Sequence, residues 1–243
     1  FTPTLSRNKL DKVKIHSQEG IEITYSGEAL DQEDMNTWIN VVHACKGTPP
    51  GRPFSISAYR LLKMMGKTDT GGNRKTLHQR IDRLQFTQVR VVTRDITFTG
   101  SFIDNFYNDN ETKGYLITLS PQIVRLFGSS QYTLLEWKVR QMLAGKHLAQ
   151  WLHGYYSSHA RAYPTKVETL YKMSGSKATS LNSFRQGLFR ALNAVKEASE
   201  ANKKVFDWKY EDGLISVEKS ISDSQTKHLN RIKTGRKKTK ISE

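Results

Sequence analysis

The chain has 243 residues, 37% of them hydrophobic and 10% aromatic, which is enough for one large or two ordinary domains with packed cores. Its 38 Lys and Arg outnumber 23 Asp and Glu, and a formal net charge of +15 indicates a polyanionic partner, either nucleic acid or an anionic membrane surface. No apolar run approaches the roughly 18 residues of a membrane-spanning helix. The single cysteine, Cys45, excludes an internal disulfide and a cysteine-based zinc site. We therefore expect a cytoplasmic protein.

The first part of the chain predicts short strands followed by two capped helices. Alternating apolar residues within 13–25 are typical of strands. In the segment 31–45, Asp31 takes the N-cap position and Asp34 the place of a capping-box acid, which predicts a helix. A second helix is expected over 57–65, with a serine as its N-cap.

A third helix is expected over 74–86, after a flexible turn at 69–73. Its apolar stripe is formed by Leu77, Ile81 and Leu84, so the opposite face should be exposed. That face and the helix entry are polar and cationic, which suits a nucleic-acid surface. The candidate DNA-binding residues here are Asn73, Arg74, Lys75, His78, Gln79 and Arg83.

Strands are expected next at 89–93, 96–102 and 115–119, with the polar segment 105–113 as a loop. The order helix, turn, basic helix and strands thus occurs once before residue 120. The same order occurs again after it, as a repeat of architecture without a residue-level period.

The second half predicts a helical segment over 134–157 with a break at Gly145, and then a helix over 166–173. Gly175 follows in a tight turn, and Asp212-Gly213 between apolar runs is a strong hairpin signal. Between them lies a long amphipathic helix, expected over 178–198.

This long helix has a core-facing stripe and a polar, cationic opposite face. The stripe consists of Leu181, Phe184, Leu188, Leu192 and Val195. The candidate DNA-binding residues around the other face are Lys177, Thr179, Ser183, Gln186, Arg190 and Asn193. A helix, a tight turn, a cationic helix and a hairpin have the layout of a winged helix-turn-helix. An ordinary amphipathic helix with a solvated face gives the same local pattern.

Catalytic and metal-binding signals are weak. The segment Gly66-Lys67-Thr68 lacks the upstream glycine of a phosphate-binding loop, and there is no HExxH motif. The acidic group at residues 31–34 sits at a helix start, where the helix dipole favours negative charge. We expect a binding protein without enzymatic activity, cofactor or metal.

Several motifs resemble the TrfA-type plasmid replication initiators of broad-host-range plasmids. In the second half these are Leu148-Ala149-Gln150-Trp151-Leu152-His153-Gly154, Tyr163-Pro164-x-Lys166-Val167-x-x-Leu170, Ser174-Gly175-Ser176 and Trp208-Lys209-x-Glu211-Asp212-Gly213-Leu214. In the first half they are Arg7-Asn8-Lys9-Leu10 and Leu30-Asp31-Gln32. The resemblance runs from about residue 1 to residue 219.

The resemblance implies an α+β chain of two tandem winged-helix domains, which we place at 1–130 and 131–221. A basic tail at 222–243 lies outside it and is expected to be disordered. The family's activity implies that monomers bind direct repeats (iterons) of duplex DNA at a plasmid origin in the bacterial cytoplasm, with a dimer as an inactive form. It further implies opening of the adjacent DNA into single strands. The implied protein partners are a host replicative helicase, a DnaA-type initiator and a sliding clamp. We expect the clamp contact in a segment ahead of this chain, and residues 131–135 as the start of a core helix.

Three other functions stay open at this point. An autoregulating transcriptional repressor of winged-helix type would need the same DNA surface without strand opening. An RNA-binding protein would expose aromatic residues on its strands for base stacking, whereas Trp208 and Tyr210 alternate as core-facing residues should. The basic regions are not amphipathic in the manner of a membrane-surface protein.

Overall fold

The computed structural model describes residues 1–4, 7–15, 20–94, 97–109, 114–122, 135–222 and 225–226. The chain divides into two compact units, Phe1–Tyr132 and Thr133–Glu243. The predicted boundary at residues 130 and 131, the segment 131–135 (expected as the start of a core helix) except its last residue, and nearly all of the basic tail lie outside the described residues.

Three helices and seven strands have described bounds in the first unit. In chain order they are β1 (Lys9–Ile15), β2 (Glu22–Glu28), α1 (Gln32–Ala44), β3 (Phe54–Ser57), α2 (Ala58–Met64), α3 (Gly71–Gln85), β4 (Gln88–Val92), β5 (Thr97–Gly100), β6 (Ile103–Asp109) and β7 (Gly114–Leu119). One antiparallel sheet has the order β1-β2-β4-β5, and the other has the order β3-β7-β6.

Helix caps confirm where the first two helices begin. Asp31 accepts hydrogen bonds from the backbone N–H groups of Glu33 and Asp34, and the Asp34 carboxylate accepts one from Asp31 N. This is the predicted capping box. Ser57 caps α2 by accepting from the backbone of Arg60 at 3.2 Å, also as predicted.

Helix α3 begins three residues earlier than the sequence predicts. Thr70 is its N-cap and accepts from the backbone N–H of Asn73 at 3.2 Å, so the glycines at 71 and 72 form the first turn. Leu77, Ile81 and Leu84 are buried as predicted, together with residues of α1, α2 and both sheets. Burial of each such side chain stabilises the fold by roughly 1.5–3 kcal/mol, which fixes the face of α3 that points away from solvent.

The second unit has four helices and three strands within the described residues. They are α4 (Trp137–Met142), α5 (His147–Ser158), β8 (Thr165–Lys166), α6 (Val167–Ser174), α7 (Leu181–Ala201), β9 (Phe206–Glu211) and β10 (Leu214–Lys219). The antiparallel sheet has the order β8-β10-β9. The predicted break at Gly145 and the glycine turn after α6 are both present, with Gly145 at φ +77° and Gly175 at φ +63°.

The turn between β9 and β10 is the predicted two-residue hairpin. Asp212 and Gly213 have φ of 51° and 79°, and the register pairs Leu214 with Glu211. Positive φ at both central residues is the requirement of the tightest hairpin turns, which explains the Asp-Gly sequence.

The core of the second unit includes polar side chains from α4 and α5. Arg140 is buried and donates from Nη1 to the carbonyl oxygen of Gln150 at 3.0 Å. His153 is also buried, and its Nδ1 atom has no hydrogen-bond partner. Burial, with the nearby positive charges of Arg140 and Lys219, lowers the pKa of His153 from 6.5 to about 4. The histidine is therefore neutral inside the fold.

Three structural expectations are wrong. Residues 105–109 of the expected loop 105–113 belong to β6 instead, because Ile103 is buried and the backbone pairs with β7, and residues 110–113 lie outside the described residues. Leu181 is 37% exposed at the first turn of α7 and does not belong to the buried stripe. Tyr210 is 39% exposed, and Trp208 is only partly buried, so these two residues are not simply core-facing.

No helix in the described ranges is long and apolar enough to cross a membrane. Within the same ranges, no three or more His, Cys, Asp or Glu side chains are arranged to hold a metal ion.

Candidate nucleic-acid interface

The exposed face of α3 is formed by two of the six residues predicted in the first unit. Lys75 and Gln79 are exposed, one helical turn apart and opposite the buried stripe. Phe86, directly after the helix, is 79% exposed on the same side. This face therefore offers a cation, an amide and an apolar ring to a partner.

Asn73 and Arg74 order the segment that leads into α3. Asn73 donates from Nδ2 to the carbonyl oxygen and the hydroxyl of Thr68, at 2.8 and 3.1 Å. Arg74 donates from Nε and Nη2 to the two carboxylate oxygens of Asp69, both at 2.6 Å. These hydrogen bonds raise the pKa of Arg74 above its ordinary value. Side-chain hydrogen bonds from Asn73 and Arg74 therefore order the turn that the sequence predicts to be flexible.

His78 lies on the flank of α3 that faces the β6–β7 hairpin. Its ring packs edge-on against Phe106 and Tyr115, with centroids 5.0 and 6.3 Å apart. Its Nε2 atom is 3.6 Å from a carboxylate oxygen of Asp82, one turn along the helix. His78 connects the helix to the hairpin and remains half-exposed.

Arg83 is not on the open face of α3, contrary to the sequence-based expectation. Its side chain is 14% exposed, and Nη2 donates to Asp34 Oδ1 at 2.7 Å. Asp34 is fully buried and also accepts from Arg7 at 2.9 Å. A buried carboxylate needs such partners, so Arg83 joins α3 to the start of α1. We leave it out of the interface.

A second buried carboxylate holds the same two helices together. Glu33 lies 3.1 Å from the Lys67 ammonium and 3.4 Å from the Arg80 guanidinium. Burial alone would raise the pKa of Glu33, but attraction to Lys67 and Arg80 outweighs burial, and the net shift is downward. The ion pairs Arg80–Glu33 and Arg83–Asp34 therefore hold α3 against α1.

All six residues predicted in the second unit are exposed. Lys177 and Thr179 precede α7, whose N-cap is Ser180. Ser183, Gln186, Arg190 and Asn193 follow along the solvent face of the helix. Phe184, Leu188, Leu192 and Val195 are buried on the other side. The structure therefore brings the six together along one edge of the unit.

The hairpin β9–β10 is held against α7 by an ion pair, a hydrogen bond and tilted aromatic contacts. Lys196 Nζ lies 2.8 Å from Asp207 Oδ1, and Trp208 Nε1 donates to Asn193 Oδ1 at 3.0 Å. The Phe189 ring lies 5.1 Å from the rings of Trp208 and Tyr210. The position of the hairpin beside the exposed face of α7 is thus set by side chains of the helix itself.

The buried stripes align α3 with α7 residue by residue. When Leu77, Ile81 and Leu84 of α3 are aligned with Leu188, Leu192 and Val195 of α7, exposed residues of one helix also align with exposed residues of the other. The matched pairs are Arg74 with Arg185, Lys75 with Gln186, Leu77 with Leu188, His78 with Phe189, Gln79 with Arg190, Ile81 with Leu192, Asp82 with Asn193 and Leu84 with Val195. His78 and Phe189 both pack on the aromatic residues of the following hairpin. The repeat therefore extends to individual residues in these two helices.

Arg185 is a cationic residue of α7 that the sequence analysis did not include among its candidates. It is exposed, and its Nη2 donates to Asn182 Oδ1 at 2.8 Å. With Leu181, Tyr210 and Gly213 it lines a surface cavity of about 340 Å³ between the start of α7 and the hairpin turn. A spacing comparison of the two helices, anchored on their apolar stripes, would have identified it as the counterpart of Arg74.

The family model described as TrfA protein matches residues 4–215. This chain belongs to the TrfA family. A curated relative, the plasmid replication initiator protein TrfA of Escherichia coli, is 27% identical over 192 residues, which are 76% of this chain and 50% of the relative. The chain thus spans half the length of that relative.

Two solved structures of RctB domains 2 and 3 have the same fold as this TrfA-family chain. One, a selenomethionine derivative, gives a TM-score of 0.60 at 15% identity and covers 90% of this chain and 93% of the other. The second gives 0.59 at 13% identity, with 92% and 95% covered. At this identity the similarity concerns the mixed α and β fold alone.

The motifs that carry the resemblance to the TrfA family lie mostly away from the exposed faces of α3 and α7. Gln150, Leu152 and His153 are buried in α5, and Asp31 caps α1. Asp212 and Gly213 form the hairpin turn. These motifs identify the scaffold, so they do not reveal which bases or phosphates a TrfA-family chain would contact.

Proposed function

We propose that each unit is a winged-helix domain with α3 or α7 as its recognition helix. The second unit has the order α5, β8, α6, α7, β9, β10, and the first has the corresponding order α1, β3, α2, α3, β6, β7 with the strands β4 and β5 of its other sheet inserted after α3. In the three-stranded sheet of each unit, the last strand lies in the centre: β7 pairs with β3 and β6, and β10 pairs with β8 and β9. This shared topology supports the assignment, and β6–β7 and β9–β10 are then the wings.

The chain is, on this proposal, a plasmid replication initiator that binds iteron repeats of duplex DNA at a replication origin. The observation that carries it is the pair of matched, exposed polar helix faces in a chain of the TrfA family with a net charge of +15. Lys75 and Lys177 bind phosphates, and Gln79, Gln186 and Arg190 read base edges in the major groove. The two helices occupy consecutive grooves, about one helical turn apart.

The further steps of initiation belong to the same proposal. The bound monomers open the neighbouring DNA into single strands in the bacterial cytoplasm. A host helicase, a DnaA-type initiator and a sliding clamp are then recruited, and a dimer serves as an inactive form. The similarity to the plasmid replication initiator protein TrfA of Escherichia coli supports this role in replication.

A binding-site selection from random duplex DNA with the full chain tests sequence-specific DNA recognition. We expect one preferred sequence. Arg190→Ala should weaken binding to that sequence by about 1–3 kcal/mol and relax the base preference at one position. Lys75→Ala, the control, should weaken all sequences alike and reduce the salt dependence of binding. No preferred duplex at all would refute the proposal.

Permanganate footprinting on a supercoiled plasmid that carries the selected repeats tests strand opening. Reactive thymines beside the repeats are expected when the protein is added. A fully paired footprint together with sequence-specific binding would instead support a transcriptional repressor of winged-helix type.

A further inference from the structure

The Arg74 guanidinium is held in one plane by Asp69. Nε and Nη2 each donate to a different carboxylate oxygen at 2.6 Å, which is a side-on bidentate pair. This pair uses one long edge of the guanidinium. The end-on edge, with the N–H groups of Nη1 and the remaining N–H of Nη2, still points away from Asp69.

An end-on guanidinium edge has two parallel donors, and this matches the O6 and N7 acceptors of guanine in the major groove. A free arginine side chain loses rotamer entropy when it is ordered. Because Asp69 already orders Arg74 in the free protein, less of that freedom is lost when a base binds.

Arg185 in the second unit is held by a single hydrogen bond rather than by a bidentate pair. It is the counterpart of Arg74 when the buried stripes of α3 and α7 are matched. Its Nη2 atom donates to Asn182 Oδ1 at 2.8 Å, so an acceptor at the start of the helix also directs this guanidinium. The cavity beside it, of about 340 Å³, leaves its surroundings open to a partner.

We infer that Arg74 and Arg185 each read one guanine of the repeat, and that Asp69 and Asn182 are the positioning residues that aim them. This inference rests on the proposed function and adds to it the base that is read, one new reading residue and two positioning residues. The recognised repeat then contains one guanine under each helix.

A chemical substitution in the DNA tests the contact directly. Each guanine of the selected duplex is replaced in turn by 7-deazaguanine, which lacks the N7 acceptor. We expect 7-deazaguanine at one position to weaken binding by the wild-type protein but not to weaken binding by Arg74→Ala any further. At a different position, 7-deazaguanine should weaken binding by the wild-type protein but not by Arg185→Ala. Each arginine variant should lose about 5- to 150-fold in affinity, the range for one bidentate base contact.

Asp69→Asn tests whether Asp69 positions Arg74 or only repels DNA through its negative charge. The matched control is Asp82→Asn, which removes one negative charge from the same helix at a residue that faces His78 and no arginine. If Asp69 only repels DNA, both variants should bind all duplexes more tightly. If it positions Arg74, Asp69→Asn alone should relax the preference for one guanine, and Asn182→Ala should do the same for the other.

The outcomes distinguish this inference from the function on which it rests. Failure of the wild-type chain to select any duplex would refute the proposed function. A selected site without guanines under these helices, or unchanged guanine preference in Arg74→Ala and Arg185→Ala, would refute the inference alone. Thermal unfolding of each variant shows whether a loss of binding reflects a loss of fold.

Discussion

Replacing Arg83 with alanine should damage the fold of the first unit without changing which bases are read. Arg83 donates to Asp34, which is fully buried at the start of α1. Removing one partner of a buried ion pair costs about 3–5 kcal/mol, because the other charge stays buried. Asp34 keeps hydrogen bonds from Arg7 and from the Asp31 backbone, at 2.9 and 3.0 Å. We therefore expect the lower end, about 3 kcal/mol.

Urea unfolding monitored by tryptophan fluorescence measures this loss, since Trp38 on α1 is buried in the first unit. Lys75→Ala is the control, because it truncates an exposed residue of the same helix and should change stability by no more than about 0.5 kcal/mol. Binding is measured at a temperature at which Arg83→Ala is folded. If Arg83→Ala is as stable as the control but loses preference for one base, our structural account of Arg83 is wrong.

Two more predictions concern the second unit. Gly187 lies inside α7 with no atom within 4 Å of an added Cβ, so Gly187→Ala should stabilise the unit by about 1 kcal/mol; an unchanged urea midpoint would contradict this. The pKa of His153 is lowered from 6.5 to about 4 in the fold, so the unfolded chain binds more protons between these values. The contribution of His153 to stability should be complete above pH 7 and should fall by about 3 kcal/mol as pH drops through this window. His153→Gln should remove the slope between pH 6.5 and about 5.5, above the range in which carboxylates such as Glu33 titrate, and an unchanged slope there would show that another group causes it.

Local sequence signals predict helices, caps and the β9–β10 hairpin because these depend on neighbouring residues. The stripe Leu77, Ile81 and Leu84 gives the buried face of α3 from spacing alone. Asp212 and Gly213 give the hairpin turn, because positive φ at two adjacent residues strongly limits the sequence.

Long-range partners explain most of what the sequence does not predict. The helical pattern puts Arg83 on an exposed face, and only Asp34, 49 residues away, reverses this. Strand β6 contains poor strand formers such as Asn105, and it forms because β7 pairs with it. Arg185 lies beside the stripe rather than opposite it, so a search for the most exposed positions passes over it.

The cap of α1 also has a consequence for how the first unit assembles. Asp34 finds its arginine partners 27 residues upstream and 49 residues downstream. During synthesis Arg7 is therefore available as soon as α1 emerges, whereas Arg83 follows only when α3 has left the ribosome. Contacts of such long sequence separation slow folding, so we expect the first turn of α1 to reach its final arrangement only when α3 packs against it.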